Sequence, residues 1–212
     1  MKRFAFLAVI LFSSYALASA QNEKKPELFA GYSFESVNSG VTSSDVLATG
    51  VTQTSLDNRF NLNGFNVSGA AYFTKHLGIA GDFSAHFDKR TDFFDTVPTQ
   101  SNFKLYNITA GPQYKFSGST RFTPFTHALF GIAHRNLTET LGSGSDAFTD
   151  RTTSFAMNLG GGIDYKLNDR FAVRLFQFDY NPIFLRSRTS NSIVLPNHTL
   201  NGIRISAGIV IK

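Results

Sequence analysis

Apolar and polar residues alternate with period two along most of this chain, and stretches with the 3.6 period of an amphipathic helix are hard to find. The last strand is the clearest. Ile203, Ile205, Ala207, Ile209 and Ile211 fall on one face, and Arg204, Ser206, Gly208, Val210 and Lys212 on the other. Over 154–166, Phe155, Met157, Leu159, Ile163 and Tyr165 oppose Ser154, Asn158, Asp164 and Lys166. Over 103–116, Tyr106, Ile108, Tyr114 and Phe116 oppose Asn107, Thr109, Gln113 and Lys115; over 77–88, Ile79, Phe83 and Phe87 oppose Asp82, Ser84, His86 and Asp88. Runs at about 26–37, 61–73, 122–135 and 171–181 bring the total to eight strands. Ser/Thr/Asp/Asn-rich segments at about 38–60, 89–102, 136–152 and 182–200 read as long loops, and 74–76, 117–121 and 167–170 as tight turns. Long and short connections in alternation predict an all-β, eight-stranded antiparallel up-and-down barrel with one elaborated rim.

The contents of the two faces decide which is outside. A soluble barrel puts bulky apolar residues inside and long charged ones out. Here the polar face is mostly Gly, Ser, Asn, Thr and Ala, with Glu35, Asp82, Asp164, Arg174 and Arg204 among them. The other face is a band of Phe, Ile, Leu, Val, Ala and Tyr, which suits lipid. Each strand has the roughly 9–11 alternating residues of a tilted membrane strand. Closure satisfies every backbone hydrogen bond in a solvent that offers none. The expectation is therefore a transmembrane barrel whose five ionisable residues form a structural ion-pair network in the lumen. The 171–181 run conflicts with a simple phase. Val173 and Leu175 share one phase with Gln177 and Asp179, whereas Arg174 shares the other with Phe176, Phe178 and Tyr180. Either a β-bulge near residues 175–177 re-phases the strand, or Arg174 lies low and snorkels into headgroups.

The first 20 residues stand apart from this pattern. Lys2 and Arg3 precede the apolar run Phe4–Phe12, and Ala18-Ser19-Ala20 makes an A-x-A site, so residues 1–20 read as a secretory signal peptide cleaved after Ala20. The barrel domain is then 21–212. Removing Lys2 and Arg3 lowers the formal charge of +5 to +3, and no basic cluster suggests nucleic acid. Charged residues are only 17% of the chain, below the roughly 25% of an average soluble protein, while Phe occurs 23 times. The absence of cysteine excludes a disulfide scaffold, a thiol enzyme and cysteine metal sites.

Candidate chemistry is thin. None of His76, His86, His127, His134 and His198 is followed two residues later by Ser, so the His-x-Ser pair of small outer-membrane lipid deacylases is missing. His86 and Asp88 share a face and read as a solvated rim. No cofactor or metal is expected. An eight-stranded lumen is filled by side chains and leaves no wide pore. Phe93 and Phe94 are candidates for contact with an extracellular ligand, since binding residues concentrate on loops. The alternative is that strands run past the membrane here, and for Ile183 to Leu185 that reading is preferred, with these residues covering the barrel mouth. Gly111-Pro-Gln-Tyr114-Lys-Phe116 echoes Gly162-Ile-Asp-Tyr165-Lys-Leu167. Both stretches are expected to place Tyr at one interface with Lys115 and Lys166 beside it.

Taken in order, the signal peptide, Glu27-Leu-Phe-Ala-Gly-Tyr-Ser-Phe34, Gly160-Gly-Gly-Ile-Asp-Tyr165, Phe178-Asp-Tyr180 and Arg204-Ile-Ser-Ala-Gly-Ile209 resemble the small eight-stranded outer-membrane β-barrels, OmpA-like and opacity-type. The resemblance covers residues 26 to 212. It departs at Ile211-Lys212, where the family usually has an aromatic residue read by the barrel-assembly machinery, and in the absence of Trp from the girdles. It implies an integral outer-membrane protein with a structural or adhesin-like surface role and no catalysis. The partners it implies are outer-membrane lipids, lipopolysaccharide, the assembly machinery and an extracellular ligand. The rivals are a narrow porin-like channel, a lipid-modifying hydrolase and a soluble barrel of lipocalin type.

Overall fold

The computed structural model describes residues 26–38, 59–94, 97–116, 121–141, 145–186, 188–190, 193–195 and 198–212. Residues 1–20, the expected signal peptide, and most of the first long loop lie outside these residues. The strands are β1 (Glu27–Asn38), β2 (Arg59–Tyr72), β3 (Leu77–Phe94), β4 (Val97–Lys115), β5 (Phe122–Leu141), β6 (Ser145–Lys166), β7 (Phe171–Leu185), β8 (Arg188–Ser190), β9 (Ile193–Leu195) and β10 (His198–Ile211). Eight of them close into an antiparallel barrel in the order β1-β10-β7-β6-β5-β4-β3-β2, and β8 and β9 form a separate small hairpin. At the turn end, side chains hold two of the tight turns. Thr74 Oγ1 accepts from the N–H groups of His76 and Leu77, and Asn168 Oδ1 from those of Arg170 and Phe171.

Closure is staggered. From Arg151, the hydrogen-bonded pairs lead through Asn136, Lys104, Phe87, Asn63, Phe34, Ile205 and Phe178 back to β6 at Gly161, ten residues from the start. Such a shear tilts the strands by roughly 35–45°. On β3 the outward apolar run goes from Leu77 to Phe87. At about 3.4 Å per residue and that tilt it stands about 25 Å tall, the height of the lipid-facing band of outer-membrane barrels. Tyr114, Phe116, Phe122 and Phe171 ring its turn end, and Phe155, Tyr180 and Phe184 its loop end. The apolar phase therefore faces out and the polar phase in, as the face contents predict.

Three features differ from the sequence expectations. First, 89–102 and 136–152 are mostly strand, not loop. β3 to β6 are 18 to 22 residues long, against 12 for β1 and 14 for β2, and rise beyond the apolar band as a taller wall. Above the band, inter-strand pairing propagates without any need for apolar outward residues. Second, the loop end of the lumen is apolar. Val37, Leu62, Phe103, Leu105, Ala133, Ala156, Ile183, Leu185 and Leu200 form one buried cluster with Phe60 and Leu137 against it. Ile183 and Leu185 thus cover the mouth, while Phe184 faces out. Third, Lys115 does not lie beside Tyr114 at the interface but turns into the barrel, where Nζ is 2.5 Å from Glu27 Oε1. Lys166 does stay outside, paired with Asp169.

The phase conflict in β7 is resolved by a bulge. On β6, Ile163 pairs with Phe176 and Asp164 with Arg174; on β10, Ser206 pairs with Gln177 and Gly208 with Arg174. Leu175 is the extra residue, and both Leu175 (46% exposed) and Phe176 (48%) face outward. Arg174 is buried against Asp164, which overturns the snorkelling alternative: in the lumen two carboxylate oxygens take the place of headgroups.

Candidate functional site

The inward phase of β1 (Glu27, Phe29, Ser33, Glu35, Val37) runs the length of the lumen and orders its layers. At the turn end Glu27 takes Lys115 at 2.5 Å, Lys212 at 3.5 Å and the hydroxyl of Tyr72 at 3.2 Å. Lys115 Nζ also lies 4.2 Å from the Tyr72 ring centroid. In the next layer Arg174 donates to both carboxylate oxygens of Asp164, at 2.8 and 3.2 Å, and to Gln177 Oε1 at 2.6 Å. Its guanidinium is sandwiched between Phe29 and Phe125, 4.3 and 4.1 Å from their centroids. Those rings come from β1 and β5, diametrically opposed in the eight-strand ring.

The central layer is built on Arg204, which is 0% exposed. It donates to Asp82 Oδ1 and Oδ2 at 2.8 and 3.2 Å, and to Asp179 Oδ2 through Nε and Nη2 at 3.0 and 2.8 Å. Asp82 sits on β3 and Asp179 on β7, again opposite walls, so this guanidinium bridges the full width of the lumen. Asn66 donates to Asp82 at 2.7 Å, while His127 Nε2 and Gln177 Nε2 donate to Asp179 at 2.8 and 2.7 Å. Charge-assisted contacts of this kind let ions stay in a space that lacks bulk water, although Asn66 Oδ1 in this layer is buried without a partner.

Above it, His86 Nδ1 lies 2.9 Å from Glu35 Oε2, off the direction of a good hydrogen bond, so the contact is electrostatic. Asn181 donates to Glu35 Oε1 at 3.1 Å. His86 Nε2 is 2.8 Å from Ser33 Oγ, to which Ser206 Oγ donates at 2.9 Å. Glu35, His86 and Ser33 therefore stand in the order of an acid–imidazole–hydroxyl relay. All three are buried, and the apolar cluster lies between them and the loop end. A hydroxyl sealed in this way meets no acyl substrate, whatever its hydrogen bonds.

The structure thus brings Glu35, Asp82, Asp164, Arg174 and Arg204 into one stacked network. Asp179, Gln177, His86 and His127 belong to it as well, beyond the five residues that the sequence places in the lumen network. His86 is wholly buried and is not a solvated rim residue. Asp88 also points inward but pairs with Arg90 at 2.6 Å. Asp179 follows from the bulge, which puts it in phase with Arg174; the two histidines carry no local signal, because their partners lie tens of residues away. Four carboxylates face two guanidiniums in the three upper polar layers, and each histidine contacts one of the carboxylates. Phe93 and Phe94 end β3 opposite Pro98 and Val97; their side chains lie outside the described residues. Among the described residues, no group of three His, Asp or Glu side chains is placed to hold a metal ion.

Residues 4–201 match the family model described as "outer membrane protein beta-barrel domain". No curated protein matches the chain. Among solved structures, Neisserial surface protein A is similar at a TM-score of 0.61 and 16% identity, over 90% of this chain and 99% of that one. Ail, the attachment invasion locus protein of Yersinia pestis, solved with the heparin analogue sucrose octasulfate, is similar at 0.52 and 17% identity, over 89% and 99%. At such identities the likeness is one of fold.

Proposed function

The chain belongs to the outer membrane protein beta-barrel domain family, and from that membership we propose an integral outer-membrane protein with a structural and adhesin-like surface role and no catalysis. Residues 1–20 serve as its signal peptide, cleaved after Ala20. Both termini and the tight turns face the periplasm, and the tall β3–β6 wall faces out, the usual arrangement of short and long connections. Lipids and lipopolysaccharide surround the band, and the barrel-assembly machinery inserts it. The observation that carries this reading is a lumen crossed from wall to wall by Arg204 and by the Phe29–Arg174–Phe125 sandwich, beneath strands that extend beyond the band. Elaboration outside a plugged lumen favours contact over transport. The same crossings weigh against the narrow channel, and the burial of Ser33 weighs against the hydrolase.

Two measurements test it. Purified protein in planar bilayers should give no unitary conductance steps; regular steps would overturn the closed lumen. A non-adherent strain expressing the protein should gain adherence to heparin- or collagen-coated surfaces and lose it when residues 91–100 and 139–148 are replaced by short turns. Equal adherence with and without the protein would overturn the adhesin-like role.

A further inference from the structure

The outward face of the loop end has a regularity that neither lumen sealing nor strand pairing requires. On six successive strands the outward apolar run gives way to a basic side chain: Arg59, Lys89, Lys104, His134, Arg151 and, just past β7, Arg186. Two of these flank a groove. The β6–β7 ladder ends at the pair Phe155 and Phe184, and beyond it the strands part. The space between them, about 460 Å³, is lined by Ile132, Arg151, Thr153, Phe155, Phe184 and Arg186, among others. That is within the range of small-molecule sites. Both arginines are exposed, and among the described residues no carboxylate lines the groove. His134 Nδ1 lies 2.8 Å from Thr153 Oγ1 and steadies one wall. The Phe155 and Phe184 rings, with centroids 5.8 Å apart, mark the top of the apolar band.

We propose that this groove holds one phosphorylated glycolipid of the outer leaflet, of lipid A type, with a phosphate on Arg151 and Arg186 and an acyl chain against Phe155 and Phe184. The inference rests on the outer-membrane reading and on the loop end facing out. Guanidinium groups match phosphate oxygens in geometry as well as charge. A phosphomonoester carries about −1.5 to −2 at neutral pH, enough for two arginines, whereas the single charge of a phospholipid diester leaves one unmatched. Aromatic rings at the interface accept the first carbons of an acyl chain.

The test is native mass spectrometry of the folded protein from non-ionic detergent, titrated with bis-phosphorylated lipid A. One lipid should be retained, at least tenfold more tightly than by the Arg151→Gln/Arg186→Gln variant. A Lys89→Gln/Lys104→Gln variant, which removes two outward cations away from the groove, should bind within about twofold of wild type. The wild-type protein should also bind dephosphorylated lipid A at least tenfold more weakly, a comparison that needs no variant. Equal retention of the dephosphorylated lipid, or of phosphatidylglycerol, would overturn the proposal, as would equal losses in both double variants. Each sample is checked for the gel-mobility shift on boiling. A wild-type protein without that shift would instead sink the barrel reading itself.

Discussion

Replacing Arg204 by Met probes the centre of the lumen. The side chain is similar in length and apolar, so packing is largely kept while four hydrogen bonds to two aspartates are lost. Removing one member of a buried ion pair typically costs about 3–5 kcal/mol, because the partner is left charged and unpaired. Here two carboxylates are abandoned, which pushes the loss up. Asp82 keeps Asn66, and Asp179 keeps His127 and Gln177, which holds it down. A destabilisation of about 3–5 kcal/mol is expected. With no Trp in the chain, the assay is equilibrium urea unfolding in lipid vesicles, read as the fraction of unboiled protein that keeps the fast mobility of the folded barrel. At a urea slope of about 1–3 kcal/mol/M, the midpoint should fall by about 1 M or more. Adding Asp82→Asn and Asp179→Asn to the variant removes the stranded charges and should recover at least half the loss. A single variant that loses less than about 1 kcal/mol, or a triple variant no more stable than the single one, would refute the idea that this bridge holds the walls together.

The remaining predictions concern the outer face and the bulge. Ile205 faces outward beside Phe34 and Phe178 near the middle of the band, so Ile205→Arg should cost about 2–4 kcal/mol in the same unfolding assay; a negligible loss would mean that another surface meets lipid. Deleting Leu175 should be tolerated, because Arg174 and Phe176 then become neighbours in an unbroken in–out alternation that matches both flanking strands. Deleting Phe178 should abolish the mobility shift, because Gln177 and Asp179 become adjacent and one of them must face lipid. Folding of both deletions, or of neither, would contradict the placement of the bulge.

Most of the barrel was legible because one physical constraint, lipid outside and polar groups inside, repeats on every strand. Ile203 to Ile211 and Ile79 to Phe87 display it without ambiguity. The clash between Arg174 and Asp179 was itself informative: two charged residues in opposite phases cannot share a lumen unless one residue is inserted between them, and Leu175 is that residue. Strand ends were not legible. Above the membrane, Thr99-Gln-Ser-Asn102 and Thr149-Asp-Arg-Thr-Thr153 have the composition of loops, yet they stay in register because the strands beneath them already are. Apart from Ile183 and Leu185, the apolar mouth was missed for a related reason. Phe103 and Leu105 continue the inward phase of Asn107, but a rule of polar interiors applies only where the lumen must hold ions. His86 and His127 gave no sign of their role, since a period-two pattern places a side chain on a face without naming its partner.

The order in which the interior is completed follows from the stagger and the wide separation of partners. Asp82 and Arg204 are 122 residues apart, Glu35 and Asn181 146, and Ser33 and Ser206 173. No single hairpin contains any of these contacts: a β7–β10 hairpin already sets Arg204 against Asp179, but a partly assembled barrel would carry Asp82 into hydrocarbon without Arg204. Loop-closure entropy sets a cost on bringing such distant partners together, and only the meeting of β1 with β10 makes all the contacts available at once. Insertion and closure are thereby coupled into a single cooperative event: the polar interior that keeps the finished barrel shut also makes a half-open one an unfavourable place for the chain to stop.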